Sequence, residues 1–373
     1  MKITMPYKTI GIIGGGQLGK MMAGCAKAMG YTVAVLDPTP NSPCGQVVDI
    51  EITARFDDMD AIKRLAEISD VITYEFENID YDALVWLEQN ANLPQGSHVL
   101  KITQHRYSEK KAISDMGLRV APFDLIDSES VLREIVYYPS VLKTTRGGYD
   151  GKGQVVLHTE EDLNKAIELV KKSECILEKW MPYEMEISVI IARSITGETS
   201  VFPVCENIHK NNILHQTIVP ARISKELEAK AHAAAETIAR ELNVIGLIAV
   251  EMFVVDGEIY INELAPRPHN SGHYSMDACI TGQFEQHIRA ICGLPLGETT
   301  LLSPAVMVNI LGDHMNKENM SNLEVYMPLL AKGKIHLYGK AEAVSKRKMG
   351  HVNILGETEE ALELIKNSGI WEE

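Results

Sequence analysis

The sequence predicts a mixed protein that begins as an α/β unit and continues, from about residue 100, as an α+β unit. A buried apolar strand near the N-terminus runs into a glycine turn and then an amphipathic helix. Further along, pairs of apolar runs flank glycine-containing turns, and short strands occupy the C-terminal part. At 373 residues the chain is long enough for two or three domains of ~100–200 residues each.

The composition is that of an acidic globular protein. Fifty-one acidic residues stand against 36 basic ones, for a net charge of −15, so a nucleic-acid-binding protein, which needs a basic surface, is not expected. Any site for an anion must be locally basic. We also expect no signal peptide and no membrane span. The six cysteines form no C-x-x-C pair, which indicates reduced thiols and a cytoplasmic protein.

The first element is a strand at Thr9–Ile13, followed by the turn Gly14–Gly19 and a helix that ends at Gly30. A second strand, Thr32–Leu36, ends at Asp37. On spacing alone this fits the G-x-G-x-x-G dinucleotide fingerprint, with Asp37 in the ribose-binding place. The same turn can hold any phosphate at a helix N-terminus, so the pattern predicts the fold but leaves the ligand open.

The next parallel-type strand, Val71–Tyr74, is followed by Glu75. A carboxylate at the carboxyl end of such a strand faces the crevice where these folds bind ligands, so we expect Glu75 to contact a ligand. We expect Asn78 to cap the helix that begins near Tyr81.

The most distinctive stretch is Lys143–Gly153, between the apolar runs 140–142 and 154–157. Four of the seven residues from 147 to 153 are glycine, and Lys143, Arg146 and Lys152 add positive charge. An ordinary hairpin turn needs only one or two glycines. Glycines let backbone N–H groups approach an anion, so the stretch predicts a flap over a polyphosphate.

A hairpin is predicted at 247–255 and 258–264, turning at Asp256 and Gly257. A plain two-residue turn would set Glu251 opposite Asn262, whereas a three-residue loop with a bulge would set it opposite Glu263. We predict the second register, because two facing carboxylates make a natural Mg²⁺ site. Without a cation the two carboxylates would repel each other.

The segment Ala265–His273 concentrates a cation, two imidazoles, an amide and a hydroxyl within nine residues, and we interpret it as part of a site. A second basic segment, 338–351, carries Lys340, Arg347 and Lys348. Such a run is usually a solvated surface. In a chain this acidic it could equally bind a phosphate, and the sequence leaves the two interpretations open.

Together these motifs resemble the ATP-grasp superfamily, and most closely its purine-biosynthesis branch, from Gly11 to about Leu355. The resemblance implies three domains. They would be a Rossmann-like pre-ATP-grasp domain (1–100), an ATP-grasp domain of two antiparallel sheets (101–295, with a glycine-flap subdomain at about 119–178) and a small β-rich C-terminal domain (296–373). One departure is Ala265, where many members have an asparagine.

The resemblance also implies a reaction, in which ATP, bicarbonate and 5-aminoimidazole ribonucleotide give N5-carboxyaminoimidazole ribonucleotide, ADP and phosphate through carboxyphosphate. It implies Mg²⁺ as the cofactor and commonly a homodimer. Two alternatives remain within enzymes: a sibling ligase that activates formate for glycinamide ribonucleotide, and a biotin carboxylase. A third alternative, from another class, is a non-catalytic dinucleotide-binding module.

By the same resemblance, four sets of residues are assigned. ATP would be bound by Arg106, Lys143, Gly148, Tyr149, Asp150, Gly151, Lys152, Gly153, Glu178, Lys179, Trp180, Met181, Glu186, His209, Asn262 and Glu263. The nucleotide acceptor would contact Gln17, Leu18, Glu75, Tyr149, Lys152, Asn270, Ser271, Lys340, Arg347 and Lys348. The catalytic residues would be Asp150, Arg267, His269 and Lys340. Mg²⁺ would be held by Glu251 and Glu263.

Overall fold

The computed structural model describes residues 3–148, 153–315 and 326–371. These residues form three sheets: one parallel sheet of four strands, one antiparallel sheet of four strands and one antiparallel sheet of nine strands. The predicted flap residues Tyr149, Asp150, Gly151 and Lys152 lie outside the described residues. In the described part, no helix is long and apolar enough to cross a membrane.

The N-terminal unit is the predicted Rossmann-like one. Its strands are parallel, in the order β3-β2-β1-β4, and the helices α1–α3 follow β1, β3 and β4. Its elements are β1 (Thr9–Ile13), α1 (Gln17–Ala28), β2 (Thr32–Asp37), β3 (Ile50–Thr53), α2 (Met59–Ile68), β4 (Val71–Tyr74), α3 (Tyr81–Asn90) and α4 (His98–Thr103).

The small antiparallel sheet has the order β5-β8-β6-β7. Apolar residues that alternate along these strands pack against α7, so the sheet buries one face and leaves the other facing a cleft. Its elements are α5 (Arg106–Asp115), β5 (Phe123–Ile126), α6 (Glu129–Ile135), β6 (Ser140–Thr144), β7 (Gln154–Leu157), α7 (Leu163–Val170) and β8 (Cys175–Lys179).

The large sheet continues into the C-terminal part of the chain. Its order is β14-β13-β9-β11-β12-β15-β17-β16, with β10 paired to β9. The C-terminal strands therefore extend the central sheet and do not form a sheet of their own. The elements are β9 (Met185–Arg193), β10 (Thr199–Val201), β11 (Cys205–Lys210), β12 (Ile213–Val219), α8 (Lys225–Glu241), β13 (Gly246–Val255), β14 (Glu258–Ala265), α9 (Ser275–Ala278), α10 (Gln283–Cys292), β15 (Ala305–Leu311), α11 (Met327–Leu330), β16 (Gly333–Leu337), β17 (Lys348–Leu355) and α12 (Thr358–Asn367).

The β13–β14 hairpin has the predicted register, with Glu251 opposite Glu263. The route to it differs from the prediction. The turn has only two residues, Asp256 and Gly257, whose φ angles of 51° and 72° are those of a tight hairpin turn. The expected three-residue loop is therefore wrong. The extra residue is Asn262, at a β-bulge well away from the turn.

The glycine turn between β1 and α1 is filled by the chain's own carboxylates. Gly15 N donates to Asp37 Oδ2 at 2.7 Å. Glu75 is buried, and its two oxygens accept from Gly16 N and, at 2.5 Å, from Gly19 N. These are the backbone N–H groups that a pyrophosphate would need. In this structure the fingerprint N–H groups are therefore bound by side chains of the N-terminal unit itself.

Asn78 does not cap α3. The Asp80 side chain accepts from Ala83 N at 3.0 Å and is the cap, so the expectation for Asn78 is wrong. Asn78 instead lines the cleft described below.

Because Asp37 and Glu75 occupy the glycine turn, we predict that the protein does not bind NADH in the micromolar range. Titration followed by NADH fluorescence measures this, with 5-aminoimidazole ribonucleotide as competitor. Saturable micromolar binding that the ribonucleotide does not displace would contradict the account of the N-terminal unit.

Candidate active site

A cleft of about 730 Å³ lies between the two antiparallel sheets. It gathers residues that are far apart in the sequence, because β6 and β8 form one wall and β13 and β14 the other. Among the residues assigned from sequence, the described ones that line it are Arg106, Lys143, Gly148, Gly153, Glu178, Lys179, Trp180, Met181, Glu186, His209, Glu251, Asn262, Glu263, Arg267, His269, Asn270 and Lys348.

Six of the assigned residues that the structure describes are not among those that line the cleft: Gln17, Leu18, Glu75, Ser271, Lys340 and Arg347. Leu18 is buried in the N-terminal core. Ser271 is fully buried. Arg347 is exposed on the C-terminal loop.

Helix α1, which follows the glycine turn, and the loop after β2 contact the C-terminal basic loop. Lys20, on α1, donates to the Tyr338 carbonyl at 3.0 Å, and Gln46 donates to the Gly339 carbonyl at 2.9 Å. Lys340 donates to the Lys348 carbonyl at 2.6 Å. Burial, followed by the nearby Arg347 charge, lowers the pKa of Lys340 to about 8. The structure thus brings together the two segments assigned to the nucleotide acceptor.

The two facing glutamates each have a cationic or imidazole partner. Glu263 Oε2 lies 3.1 Å from Arg106 Nη1, and Arg106 Nη2 also donates to the Gly148 carbonyl at 2.9 Å. Glu251 Oε1 lies 3.1 Å from His269 Nε2. Burial alone would raise the pKa of Glu251, but His269 and nearby positive charges lower it to about 2. Glu251 is therefore an ionised carboxylate at neutral pH.

The orientation of His269 is set by its neighbours. Its Nδ1 accepts from the Ser271 backbone N–H and lies 2.9 Å from Ser271 Oγ. Ser271 Oγ in turn accepts from Ser188 Oγ at 2.8 Å, which leaves the Ser271 hydroxyl proton for His269. Because Nδ1 accepts, the ring N–H is on Nε2, facing Glu251.

The main chain of the Pro266–His269 segment is held by two buried glutamines. Gln283 Oε1 accepts from His269 N at 2.9 Å, and Gln283 Nε2 donates to the His269 carbonyl at 2.8 Å. Gln95 donates to the Pro266 carbonyl at 3.3 Å. These contacts fix the backbone that carries Arg267 and His269. Roles for Arg267 and His269 were predicted from the sequence, but Gln95 and Gln283 were not identified from it.

Several residues of the cleft were missed from sequence. Glu77 Oε1 lies 2.8 Å from Arg267 Nη2, and this ion pair joins the Pro266–His269 segment to the N-terminal unit. Tyr183 and Phe253 stack with ring centroids 4.5 Å apart and line the cleft. Phe253 could have been found, because it lies two residues after Glu251 on the same strand. No sequence signal marks Tyr183.

The cleft is also lined by an ion pair and by a buried carboxylate. Glu186 Oε2 lies 2.7 Å from His209 Nδ1. Burial alone would lower the pKa of His209, but the Glu186 carboxylate raises it. Glu178 Oε2 accepts from Lys143 at 3.0 Å and lies 3.4 Å from Lys110 Nζ. Burial alone would raise the pKa of Glu178, but the two lysines lower it to about 2.

Three family models match the chain. They describe the ribonucleotide synthetase preATP-grasp domain (residues 7–104), the ATP-grasp domain (111–284) and the phosphoribosylaminoimidazole carboxylase C-terminal domain (305–364). The chain is 56% identical over 363 residues to N5-carboxyaminoimidazole ribonucleotide synthase of Bacillus subtilis (strain 168), a match that covers 96% of this chain and 94% of the relative. The chain belongs to the N5-carboxyaminoimidazole ribonucleotide synthase family.

Solved structures of this family have the same fold. One, a synthetase in complex with ADP, is 62% identical, with a TM-score of 0.96 over 100% of this chain and 98% of that one. Another, from Aspergillus clavatus with ADP and 5-aminoimidazole ribonucleotide, is 29% identical, with a TM-score of 0.88 over 97% of each chain. The predictions of the ATP-grasp fold and of an ATP-dependent ligase of this family are thereby confirmed.

A buried histidine cluster supports the site from behind. Gln283 Nε2 lies 3.0 Å from His273 Nδ1, and the His273 and His351 rings are 4.7 Å apart. Both histidines are fully buried. His351 Nδ1 lies 2.9 Å from the Tyr338 hydroxyl. Burial lowers the pKa of His273 and of His351 well below the ordinary value, so both rings are neutral in the folded protein.

Because these two histidines take up protons more readily when unfolded, folding stability should fall as pH drops below about 6.5, their ordinary pKa. Each contributes at most ~1.4 kcal/mol per pH unit to this loss. We predict that His351→Gln makes the loss between pH 7 and pH 5 shallower. Chemical denaturation at several pH values measures it, with exposed His98→Gln as control. A pH dependence in His351→Gln as steep as in the wild type would contradict the prediction.

Proposed function

We propose that the protein carboxylates the exocyclic amine of 5-aminoimidazole ribonucleotide, with ATP and bicarbonate as co-substrates, in purine biosynthesis. The observation that supports this most strongly is the arrangement of one cleft. Glu251 and Glu263 face each other, and the cations Lys143, Arg106 and Arg267 line the same cleft together with His269.

ATP would lie along the cleft with its base between Tyr183 and the chain at 178–181, and its ribose near Glu186. Its phosphates would then meet Lys143, Arg106 and the flap. Phosphoryl transfer needs mainly positioning and neutralisation of charge, and these cations supply both. For Tyr149, Asp150, Gly151 and Lys152 the assigned roles remain predictions.

The facing carboxylates fit Mg²⁺, which prefers oxygen ligands and is commonly held by one or two carboxylates together with substrate phosphates. Among the described residues, no group of three or more His, Cys, Asp or Glu side chains is placed to hold a metal. Glu251 and Glu263 would therefore be the two ligands that the protein contributes to Mg²⁺. This is consistent with Ala265, which stands where many superfamily members have an asparagine. When bound, the ion neutralises charge on the transferring phosphate.

In the proposed chemistry, a bicarbonate oxygen attacks the γ-phosphorus of ATP, and ADP leaves. The product is carboxyphosphate. The exocyclic nitrogen of the aminoimidazole then attacks the carboxyl carbon of carboxyphosphate. The bond between that carbon and the bridging oxygen breaks, phosphate leaves, and the nitrogen loses a proton. Arg267 would hold the bicarbonate anion, while His269, whose Nε2–H faces Glu251, would lie beside it. Asp150 would orient the amine or accept its proton.

The acceptor would bind where the glycine turn meets the basic loop, with its phosphate toward Lys340, Arg347 and Lys348. Glu75 would contact the neutral part of the ribonucleotide, because a carboxylate there would repel a phosphate. This basic loop is the feature that favours a ribonucleotide acceptor over biotin. The rival sibling reaction, with formate and glycinamide ribonucleotide, is distinguished by the acceptor.

Two further properties belong to this proposal. All six cysteines are free, which suits a protein of the reducing cytoplasm. A homodimer is expected from the family resemblance, and sedimentation analysis tests it.

The function is tested by supplying ¹⁴C-bicarbonate and ATP with 5-aminoimidazole ribonucleotide, and measuring phosphate release and label in the ribonucleotide. We expect both to require the aminoimidazole acceptor. Parallel reactions contain glycinamide ribonucleotide with formate, or biotin. Turnover with either of these and none with the aminoimidazole would contradict the proposal.

We predict that Glu263→Gln loses about 100-fold or more in kcat while remaining folded. The carboxylate would help to hold a Mg²⁺ ion, which stabilises the charge of the transition state by several kcal/mol. Each loss of about 1.4 kcal/mol of this stabilisation lowers the rate about tenfold. Steady-state rates across a Mg²⁺ titration measure it. Glu258→Gln, on the same strand but paired with Arg119 and Lys230, is the control. Normal turnover with unchanged Mg²⁺ dependence in Glu263→Gln would be the opposite result.

We predict that Lys340→Met raises the KM for 5-aminoimidazole ribonucleotide about tenfold and leaves that for ATP nearly unchanged. A charge-assisted hydrogen bond to a phosphate is worth about 1.5–3 kcal/mol, and only the acceptor phosphate would lose one. Kinetics with each substrate varied in turn measure this, with exposed Lys346→Met as control. Equal effects on both KM values would show that Lys340 does not serve the acceptor.

A further inference from the structure

A buried lysine lies behind the wall of the cleft, and nothing in the sequence pattern marks it. Lys110 is 2% exposed and is not among the described residues that line the cleft. Its ammonium group lies 3.4 Å from Glu178 Oε2 and donates to the Asn262 carbonyl at 3.0 Å. Lys110 therefore joins the small sheet, through β8, to the large sheet, through β14.

The same carboxylate oxygen has a second cationic partner. Glu178 Oε2 accepts from Lys143 Nζ at 3.0 Å, and the Glu178 side chain is only 5% exposed. Lys143, in contrast, lines the cleft. Within this group of three side chains, two ammonium groups and one carboxylate leave one positive charge in excess. Because Lys110 is buried and cannot reach the cleft, the excess charge is available to a ligand through Lys143.

We propose that Lys110 is a positioning residue for the nucleotide. Lys110 neutralises the Glu178 carboxylate from the side away from the cleft, so that the ammonium group of Lys143 is available to the phosphates in the cleft. Without Lys110, Glu178 and Lys143 would form a one-to-one pair, and an incoming phosphate would compete with the carboxylate for Lys143. This inference rests on the proposed ATP site but does not depend on carboxylation.

A structural role of the same helix must be separated from this electrostatic one. Glu109 Oε1 accepts from Leu264 N at 2.7 Å, while Lys110 donates to the Asn262 carbonyl. The two side chains thus hold the edge strand on either side of Glu263. Removing Lys110 could therefore weaken binding simply by loosening β14. Removal of the Glu178 charge distinguishes the two causes, because it relieves the competition but cannot restore the hydrogen bond to Asn262.

The test is the affinity for ADP, measured by calorimetry on the full-length protein without bicarbonate or acceptor. We expect Lys110→Met to weaken ADP binding about tenfold or more, the contribution of one charge-assisted hydrogen bond. Because Glu178 itself lies in the proposed ATP site, the reference for the double variant Lys110→Met/Glu178→Gln is the single variant Glu178→Gln, and the two should bind ADP with nearly equal affinity. Lys111→Met is the matched control, since Lys111 is the next residue of α5, is exposed and pairs with Asp115. Its affinity should equal that of the wild type.

Unchanged ADP affinity in folded Lys110→Met would overturn the inference. A weakening by Lys110→Met that is just as large in the Glu178→Gln background would also overturn it, because a loosened β14 would then be the cause. If Lys110→Met does not fold, Lys110→Gln and Lys110→Gln/Glu178→Gln provide the same comparison, since the amide keeps a hydrogen-bond donor without the charge. Binding of ADP by the wild type, measured in the same series, tests the proposed function separately.

Discussion

Two glutamates face each other across the cleft, and the rest of the site depends on how their charges are held. Like charges on paired strand positions repel, so Glu251 and Glu263 need compensation. Arg106 supplies a positive charge to Glu263, and the Nε2–H of His269 donates to Glu251. The bulge at Asn262 creates this arrangement, because without it Glu251 would face an amide. A single extra residue in an edge strand thus sets the position of the proposed metal site.

Behind the residues that line the cleft lies a second layer of buried polar groups, and these groups hold the lining residues in place. Gln283 holds the backbone of His269, and Lys110 holds that of Asn262. Both supporting side chains are almost completely buried, where hydrogen bonds and ion pairs are strong and unpaired groups are costly. The charges that would meet ATP and bicarbonate are therefore positioned before either substrate arrives, which suits a reaction that depends on placement and charge neutralisation.

Much of the fold could be predicted from patterns in the sequence, whereas the buried side chains that hold the cleft residues in place could not. Strand alternation predicted the hairpin, and the chemistry of facing carboxylates predicted its register. The bulge itself could not be located, since no glycine or proline marks Asn262. The charged helix at 106–115 is typical of a solvated surface, yet Glu109 and Lys110 are buried because tertiary partners pair with them. The fingerprint glycines left the ligand open, and the contacts of Glu75 and Asp37 with the turn could not be located from the sequence.

The central claim is that bicarbonate attacks the γ-phosphorus of ATP in this cleft. It is tested most directly with ¹⁸O-labelled bicarbonate under single-turnover conditions in the presence of 5-aminoimidazole ribonucleotide, with the released phosphate analysed by mass spectrometry. If carboxyphosphate forms, the bridging oxygen comes from bicarbonate and stays with phosphorus when the C–O bond breaks. The account predicts one ¹⁸O atom per phosphate. Phosphate without label, formed at the same rate as product, would contradict it.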